Sequence, residues 1–106
     1  MANKIETQLL HNPHAGEILK EEFLVPLELS QNALAKAIGV PSNRIHAIVL
    51  GTRGITAETD LLLCKFFGLS EGYWLRLENL YELLEAKRSL GPKLKNVKAF
   101  KYPKVA

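Results

Sequence analysis

The sequence predicts an all-α domain of five helices followed by a basic C-terminal tail. Apolar residues recur every three or four positions in several segments, as on the buried face of an amphipathic helix. Glycine or proline separates these segments, and serine or threonine precedes several of them as a candidate N-cap. A strand is only a short possibility, at 97–102. We divide the 106 residues into a lead-in (1–13), one domain (14–90) and the tail (91–106).

Proline and serine bound the first two helices. Helix one is predicted from His14 or Ala15 to Leu24, because Pro26 disfavours a helical conformation in the residue before it. Helix two is predicted to begin after Ser30, whose hydroxyl can accept a hydrogen bond from an amide of the first turn.

Helices four and five follow the same logic. Thr56 is predicted to cap helix four, which ends at Gly68, and Ser70 is predicted to cap helix five, residues 71–88. The following residues are expected on the core side of these two helices: Leu61, Cys64, Phe67, Tyr73, Trp74, Leu77, Leu80, Tyr81 and Leu84.

Residues 31–50, QNALAKAIGVPSNRIHAIVL, have the pattern of a DNA-binding helix-turn-helix. Leu34 and Ile38 share one helical face, and Ile45 and Ile48 share another. Gly39 lies between them and can adopt the positive φ that ends one helix and turns the chain into the next. The alanine four positions before this glycine suits a close helix crossing. An ordinary helical hairpin in a bundle could carry the same pattern.

Helix three is predicted to start near Pro41, and its arc opposite Ile45 and Ile48 is predicted to face DNA. Its side chains are short or flat, and several can bond to base edges or touch a thymine methyl; they are Ser42, Asn43, His46, Ala47 and Leu50. Arg44 lies on the flank, within reach of a phosphate or a guanine edge. Thr52, Arg53 and the amides of the following loop are predicted to contact a phosphate. The helix has no acidic residue, which favours an approach to phosphates.

The end of the chain after Glu85, which includes the tail, differs in charge from the rest of the chain. Seven basic and no acidic residues follow Glu85, which gives this segment a net charge of +7. Residues 1–85 have seven basic and eleven acidic residues, which gives them a net charge of −4. DNA phosphate is the predicted target of the tail. Two other possibilities are a solvated end of the chain and an anchor in which Val97, Phe100 and Tyr102 bind a toxin or a partner subunit.

Composition disfavours several other classes of protein. No apolar run is long enough to span a membrane and no export signal is present, so we expect a cytoplasmic location without membrane contact. The single cysteine, Cys64, is expected in the core. His11 and His14 are too few for a zinc site, and no nucleophile has a base beside it. We therefore expect no catalytic residue, no metal and no cofactor.

Helices four and five carry more apolar residues than one core requires. A homodimer is predicted to use this second surface, which consists of Leu62, Phe66, Leu75, Leu83 and Leu90.

Three stretches together resemble HigA-type antitoxins of the Xre helix-turn-helix family. They are HAGEILKEEFLVPLELSQNALAKAIGVPSNRI, GTRGITAETDLLL and FFGLSEGYWLRLENLYELLEA, which cover roughly residues 14–86. The resemblance implies a lambda-repressor-like five-helix domain that dimerises and binds double-stranded operator DNA of its own operon. It also implies neutralisation of a HigB-type toxin, a small ribonuclease that cuts mRNA. In that family Ser42, Asn43 and His46 correspond to groove-facing positions, and Gln31 to a phosphate contact.

Other functions remain open at this point. An Xre-family regulator without a toxin partner would have the same DNA-binding residues. A passive interaction module with a degenerate helix-turn-helix is another alternative, and an enzyme is disfavoured by the missing catalytic set.

Overall fold

The computed structural model describes residues 11–104, and this part of the chain contains six helices and no strand. Helix α1 begins as an α-helix, Ala15–Ile18, and continues as a π-helix, Leu19–Leu24. The others are α2 (Gln31–Ile38), α3 (Ser42–Leu50), α4 (Ala57–Phe67), α5 (Tyr73–Leu90) and the short α6 (Pro92–Lys95). The predicted all-α class is confirmed, and α6 is an additional helix inside the predicted tail.

Two predictions concern the ends of the chain: a possible strand near the C-terminus and an irregular lead-in at the N-terminus. The possible strand at 97–102 is wrong, because these residues form neither helix nor strand. Most of the predicted lead-in, residues 1–10, lies outside the described residues, as do residues 105–106.

Two of the three predicted N-caps are confirmed. The hydroxyls of Ser30 and Thr56 each accept a hydrogen bond from the amide three residues on, at 3.0 and 3.4 Å. The cap predicted at Ser70 is wrong, since α5 begins only at Tyr73, after Gly72 with a φ of 93°.

A buried carboxylate on α4 caps α5 instead. Asp60 is only 1% exposed. Its oxygens accept hydrogen bonds from the amides of Gly72 at 2.7 Å, Trp74 at 2.8 Å and Leu75 at 3.1 Å. The first amides of a helix have no partner within the helix and form its positive end. One anion therefore satisfies these donors, and its own burial is compensated by them.

The core lies where α1, α2, α3, α4 and the start of α5 meet. Its buried apolar residues are Ala15, Leu19, Leu24, Leu34, Ala35, Ile45, Ile48, Ile55, Leu63, Cys64 and Trp74. The rings of Phe23 and Tyr73 pack on Trp74, with centroids 5.0 and 5.1 Å away. The prediction of a buried cysteine at position 64 is confirmed.

Two predicted core positions are wrong. Leu61 and Leu80 are exposed, at 47% and 65%. On α4 the inward face is centred instead on Leu63, since Asp60 must point toward the start of α5. On α5 only the first turns lie against the core, so its second half exposes leucine. None of the helices within residues 11–104 could cross a membrane, because none is both long and apolar enough.

Candidate DNA-binding surface

Helices α2 and α3 form the helix-turn-helix that the sequence predicts. Gly39 has a φ of 75° and ends α2, and the next amide, of Val40, donates to the carbonyl of Ala35 at 3.0 Å. Ile45 and Ile48 of α3 are buried and fix the rotation of that helix about its axis. The opposite side of α3 must therefore face away from the core.

Helix α1 holds α3 from behind through a close backbone contact. A Cβ atom on Gly16 would overlap the carbonyl oxygen of Ile48, so only glycine allows this approach. His14 begins α1, and its Nδ1 accepts a hydrogen bond from the amide of Gly16 at 3.1 Å. The imidazole also lies against Gly51, at the end of α3, and 5.9 Å from the ring of Tyr81 on α5. His14 thus joins three helices.

The structure places the predicted base-reading residues on the outward side of α3. Ser42, Asn43 and His46 are exposed, as is Leu50. Ala47 is half-buried and lies closer to the helix–helix contact. The exposed hydroxyl, amide and imidazole have the donors and acceptors that base edges require in the major groove.

Arg44 is less accessible than the sequence suggests. Its side chain is half-buried, and its Nε is covered without a hydrogen-bond partner among the described residues. The inner part of the guanidinium therefore packs on the protein.

Gln31 and His46 contact each other across the turn. The side-chain oxygen of Gln31 lies 3.3 Å from Nδ1 of His46. With the proton on Nδ1, the imidazole donates this bond, and the amide group of Gln31 keeps its own donors for another acceptor. The first residue of α2 and the middle of α3 thus form one polar unit on the outer surface.

The loop after α3 is tightened onto the end of that helix. The amides of Gly51 and Thr52 each donate to the carbonyl of Ala47 at 3.0 Å, and that of Arg53 does so at 3.3 Å. The hydroxyl of Thr52 also donates to this carbonyl, at 3.3 Å. The amides of Thr52 and Arg53 are therefore already bonded within the protein, and the predicted phosphate contact of this loop stays a prediction for its side chains. Their side chains remain exposed.

Glu78 of α5 supports the far end of this loop. Its carboxylate accepts a hydrogen bond from the amide of Ile55 and lies against Gly54. Burial raises the pKa of Glu78, and the hydrogen bond and charge of Glu82 raise it further, whereas the Ile55 amide opposes the shift. An ionisable pair thus lies directly behind the loop that carries Arg53.

The residues predicted at a dimer contact differ in their exposure. Leu75 is half-buried and packs on the core, and Leu62 is also half-buried. Phe66, Leu83 and Leu90 are exposed.

Sequence reasoning misses three contacts that shape this surface. It considers His14 as a possible helix start and dismisses it as a zinc ligand, gives Asp60 no role and does not predict the Gln31–His46 pair. An acidic residue inside an otherwise apolar helix is a sequence signal that could have pointed to Asp60.

Comparisons with known proteins agree with this geometry. Residues 19–74 match the helix-turn-helix family HTH_3. Virulence-associated protein I of Dichelobacter nodosus is 48% identical over 75 residues, which are 71% of this chain and 69% of that protein.

Two solved structures are also similar. An addiction module antidote protein of a HigA family from Coxiella burnetii is 41% identical, with a TM-score of 0.79 over 86% of this chain and 100% of that one. The Pseudomonas aeruginosa antitoxin HigA, solved with the higBA promoter, is 32% identical, with a TM-score of 0.77 over 83% and 97%.

Proposed function

The chain belongs to the helix-turn-helix family HTH_3. From its similarity to the HigA antitoxin structures we propose that it is the antitoxin of a type II toxin–antitoxin pair. It would bind the operator of its own operon as a repressor and would bind and neutralise a HigB-type mRNA-cleaving toxin. The observation that carries the DNA-binding part is the outward face of α3, with Ser42, Asn43 and His46 exposed and no acidic residue in the helix.

Readout of the operator is assigned to two groups of residues. The amide of Asn43 can pair with adenine through two hydrogen bonds, and Ser42 and His46 can each bond to a base edge in the major groove. Arg53, and the side-chain amide of Gln31, would bond to phosphates on either side of α3 and fix its position. Sequence preference then depends on the first group and affinity for any DNA on the second.

A homodimer follows from the size of the operator contact. One recognition helix reads only a few base pairs, so a two-fold pair of helices would read two half-sites about 34 Å apart, or a multiple of that distance. The exposed leucines of α5 are the apolar surface that supports such a pair. They are Leu80, Leu83 and Leu90.

Neutralisation of the toxin would use the acidic body. Residues 1–85 have a net charge of −4. Toxins of the resembled class must bind RNA and are basic, so residues 1–85 are the better electrostatic match for them than the +7 segment after Glu85.

Two experiments test this proposal. A gel-shift with DNA from immediately upstream of the coding sequence should show a specific complex that scrambled DNA does not compete away. Co-expression with the neighbouring reading frame should yield a co-purifying small basic protein. It should also restore the growth that this small basic protein inhibits when it is expressed alone.

The alternative is an Xre-family transcriptional regulator without a toxin partner, since membership of the HTH_3 family supports DNA binding without specifying a toxin. A specific gel-shift combined with no co-purifying partner and no growth rescue would favour it.

A further inference from the structure

The last described residues form an arm that leaves apolar side chains in solvent. Val97 is 72% exposed, Phe100 72% and Tyr102 82%. The rings of Phe100 and Tyr102 contact each other, with centroids 4.9 Å apart, and within the described residues they make no other ring contact. We name residues 97–104 the arm.

The arm extends away from the body. The radius of gyration of the Cα atoms is 18.1 Å. A compact chain of this length would have a radius of gyration of about 13 Å. The 18-residue helix α5 contributes to this larger radius as well. The exposure of Val97, Phe100 and Tyr102 shows that the arm does not pack on the apolar surface of its own domain.

A row of leucines leads from α5 to the arm. Leu80, Leu83 and Leu90 are exposed and are spaced by three and seven residues, so they lie along one side of α5. Leu94 is also exposed and lies on α6, after the break in the helix at Gly91. We name these four leucines the α5 stripe.

The area of the stripe is too small for a stable dimer by itself. Four leucines, each about half exposed, offer roughly 200 Å², whereas a stable interface buries about 800 Å² per partner. Two aromatic side chains can bury about 150–250 Å² each. Adding the arm therefore brings the available apolar area close to what a dimer requires.

The charges of the arm and of α5 favour a second copy of this chain as the partner of the arm. The arm has Lys98, Lys101 and Lys104 and no acidic residue. Glu82 precedes Leu83 on α5, repels Glu78 and has no ion pair within the described residues. A lysine brought by a second copy would reduce this repulsion. Duplex DNA would also attract the lysines, but its bases are stacked and its grooves present mainly polar edges, so it would bury less of the exposed rings than a row of leucines.

We propose that the arm packs on a second copy of the same chain, with Phe100 and Tyr102 on the leucines of that copy's α5 stripe. Two-fold symmetry makes the contact reciprocal, so each copy gives one arm and receives one. The inference rests on the homodimer proposed above and adds the residues that complete its interface.

Sedimentation equilibrium of the full-length chain without DNA tests this directly. The change is the double variant Phe100→Ser/Tyr102→Ser, and the matched control is Lys98→Gln/Lys101→Gln, which keeps the rings. Loss of four buried rings per dimer should raise the dimer dissociation constant about a hundredfold or more. The lysine control should raise it less, and only at low salt, because surface ion pairs are screened.

Other results would overturn the inference. An unchanged dissociation constant in the aromatic variant would do so, while a dimeric wild-type protein would leave the homodimer proposal standing. A monomeric wild-type protein would contradict both. Unchanged dimerisation with a smaller salt dependence of operator binding would assign the arm to DNA, and unchanged dimerisation without growth rescue would assign it to the toxin.

Discussion

Replacing Asp60 by asparagine should destabilise the domain strongly. The substitution keeps the size of the side chain but removes the charge and replaces one oxygen by an amide that cannot accept. Asp60 accepts hydrogen bonds from the amides of Gly72, Trp74 and Leu75 at 2.7, 2.8 and 3.1 Å. At least one buried amide would lose its partner, and the others would lose a charged acceptor, so we expect a decrease of about 3 kcal/mol in the free energy of unfolding.

Thermal unfolding followed by circular dichroism measures this effect. A decrease of about 3 kcal/mol corresponds to a fall in Tm of about 12–24 °C for a domain of this size. Glu58→Gln is the matched control, because Glu58 is an exposed acid on the same helix, and its Tm should stay close to that of the wild type. A shift in Asp60→Asn no larger than in this control would refute the role assigned to the buried carboxylate.

Three further predictions concern the dimer, the phosphate contact and pH. Leu83→Glu should produce monomers with unchanged helical content, whereas Leu61→Glu, an exposed leucine outside the α5 stripe, should remain dimeric by sedimentation. Arg53→Ala should weaken binding to every DNA sequence and reduce the log–log salt slope by about 0.9 for each phosphate that Arg53 neutralises; an unchanged slope would argue against a phosphate-binding role for Arg53. The raised pKa of Glu78 means that the folded state holds this proton more tightly than the unfolded state, so the stability from this group is present below its ordinary pKa of 4.5 and is lost as pH rises through the raised value. Glu78→Gln should remove the decline in Tm that this carboxyl group causes as pH rises, whereas the control Glu58→Gln should keep it. Equal profiles of Tm against pH for the wild type and Glu78→Gln would contradict this assignment.

Local chemistry explains which features the sequence could predict. Gly39 marks the turn because a positive φ is a requirement of a single residue. Ser30 and Thr56 cap helices through amides only three residues away. The outward position of Asn43 follows from the buried positions of Ile45 and Ile48 in the same short helix.

Contacts between distant parts of the chain explain the errors. Ser70 has the right residue type for a cap, but Asp60, which lies earlier in the chain on α4, takes that role and shifts the start of α5. Leu80 has helical spacing from Tyr73 and Leu77, but α5 extends beyond the core that could cover it. The pairing of Gln31 with His46 likewise depends on how α2 crosses α3, which no periodicity specifies.

The central claim is that the outward face of α3 reads a specific operator. Its most direct test is a competition gel-shift that compares the wild type with Asn43→Ala on upstream DNA, on single-base variants of it and on scrambled DNA. The wild type should prefer the upstream DNA by about a thousandfold or more. Asn43→Ala should lose about 1–3 kcal/mol of binding free energy and the preference at one base position in each half-site. Equal binding of upstream and scrambled DNA by the wild type, or an unchanged base preference in Asn43→Ala, would contradict the account.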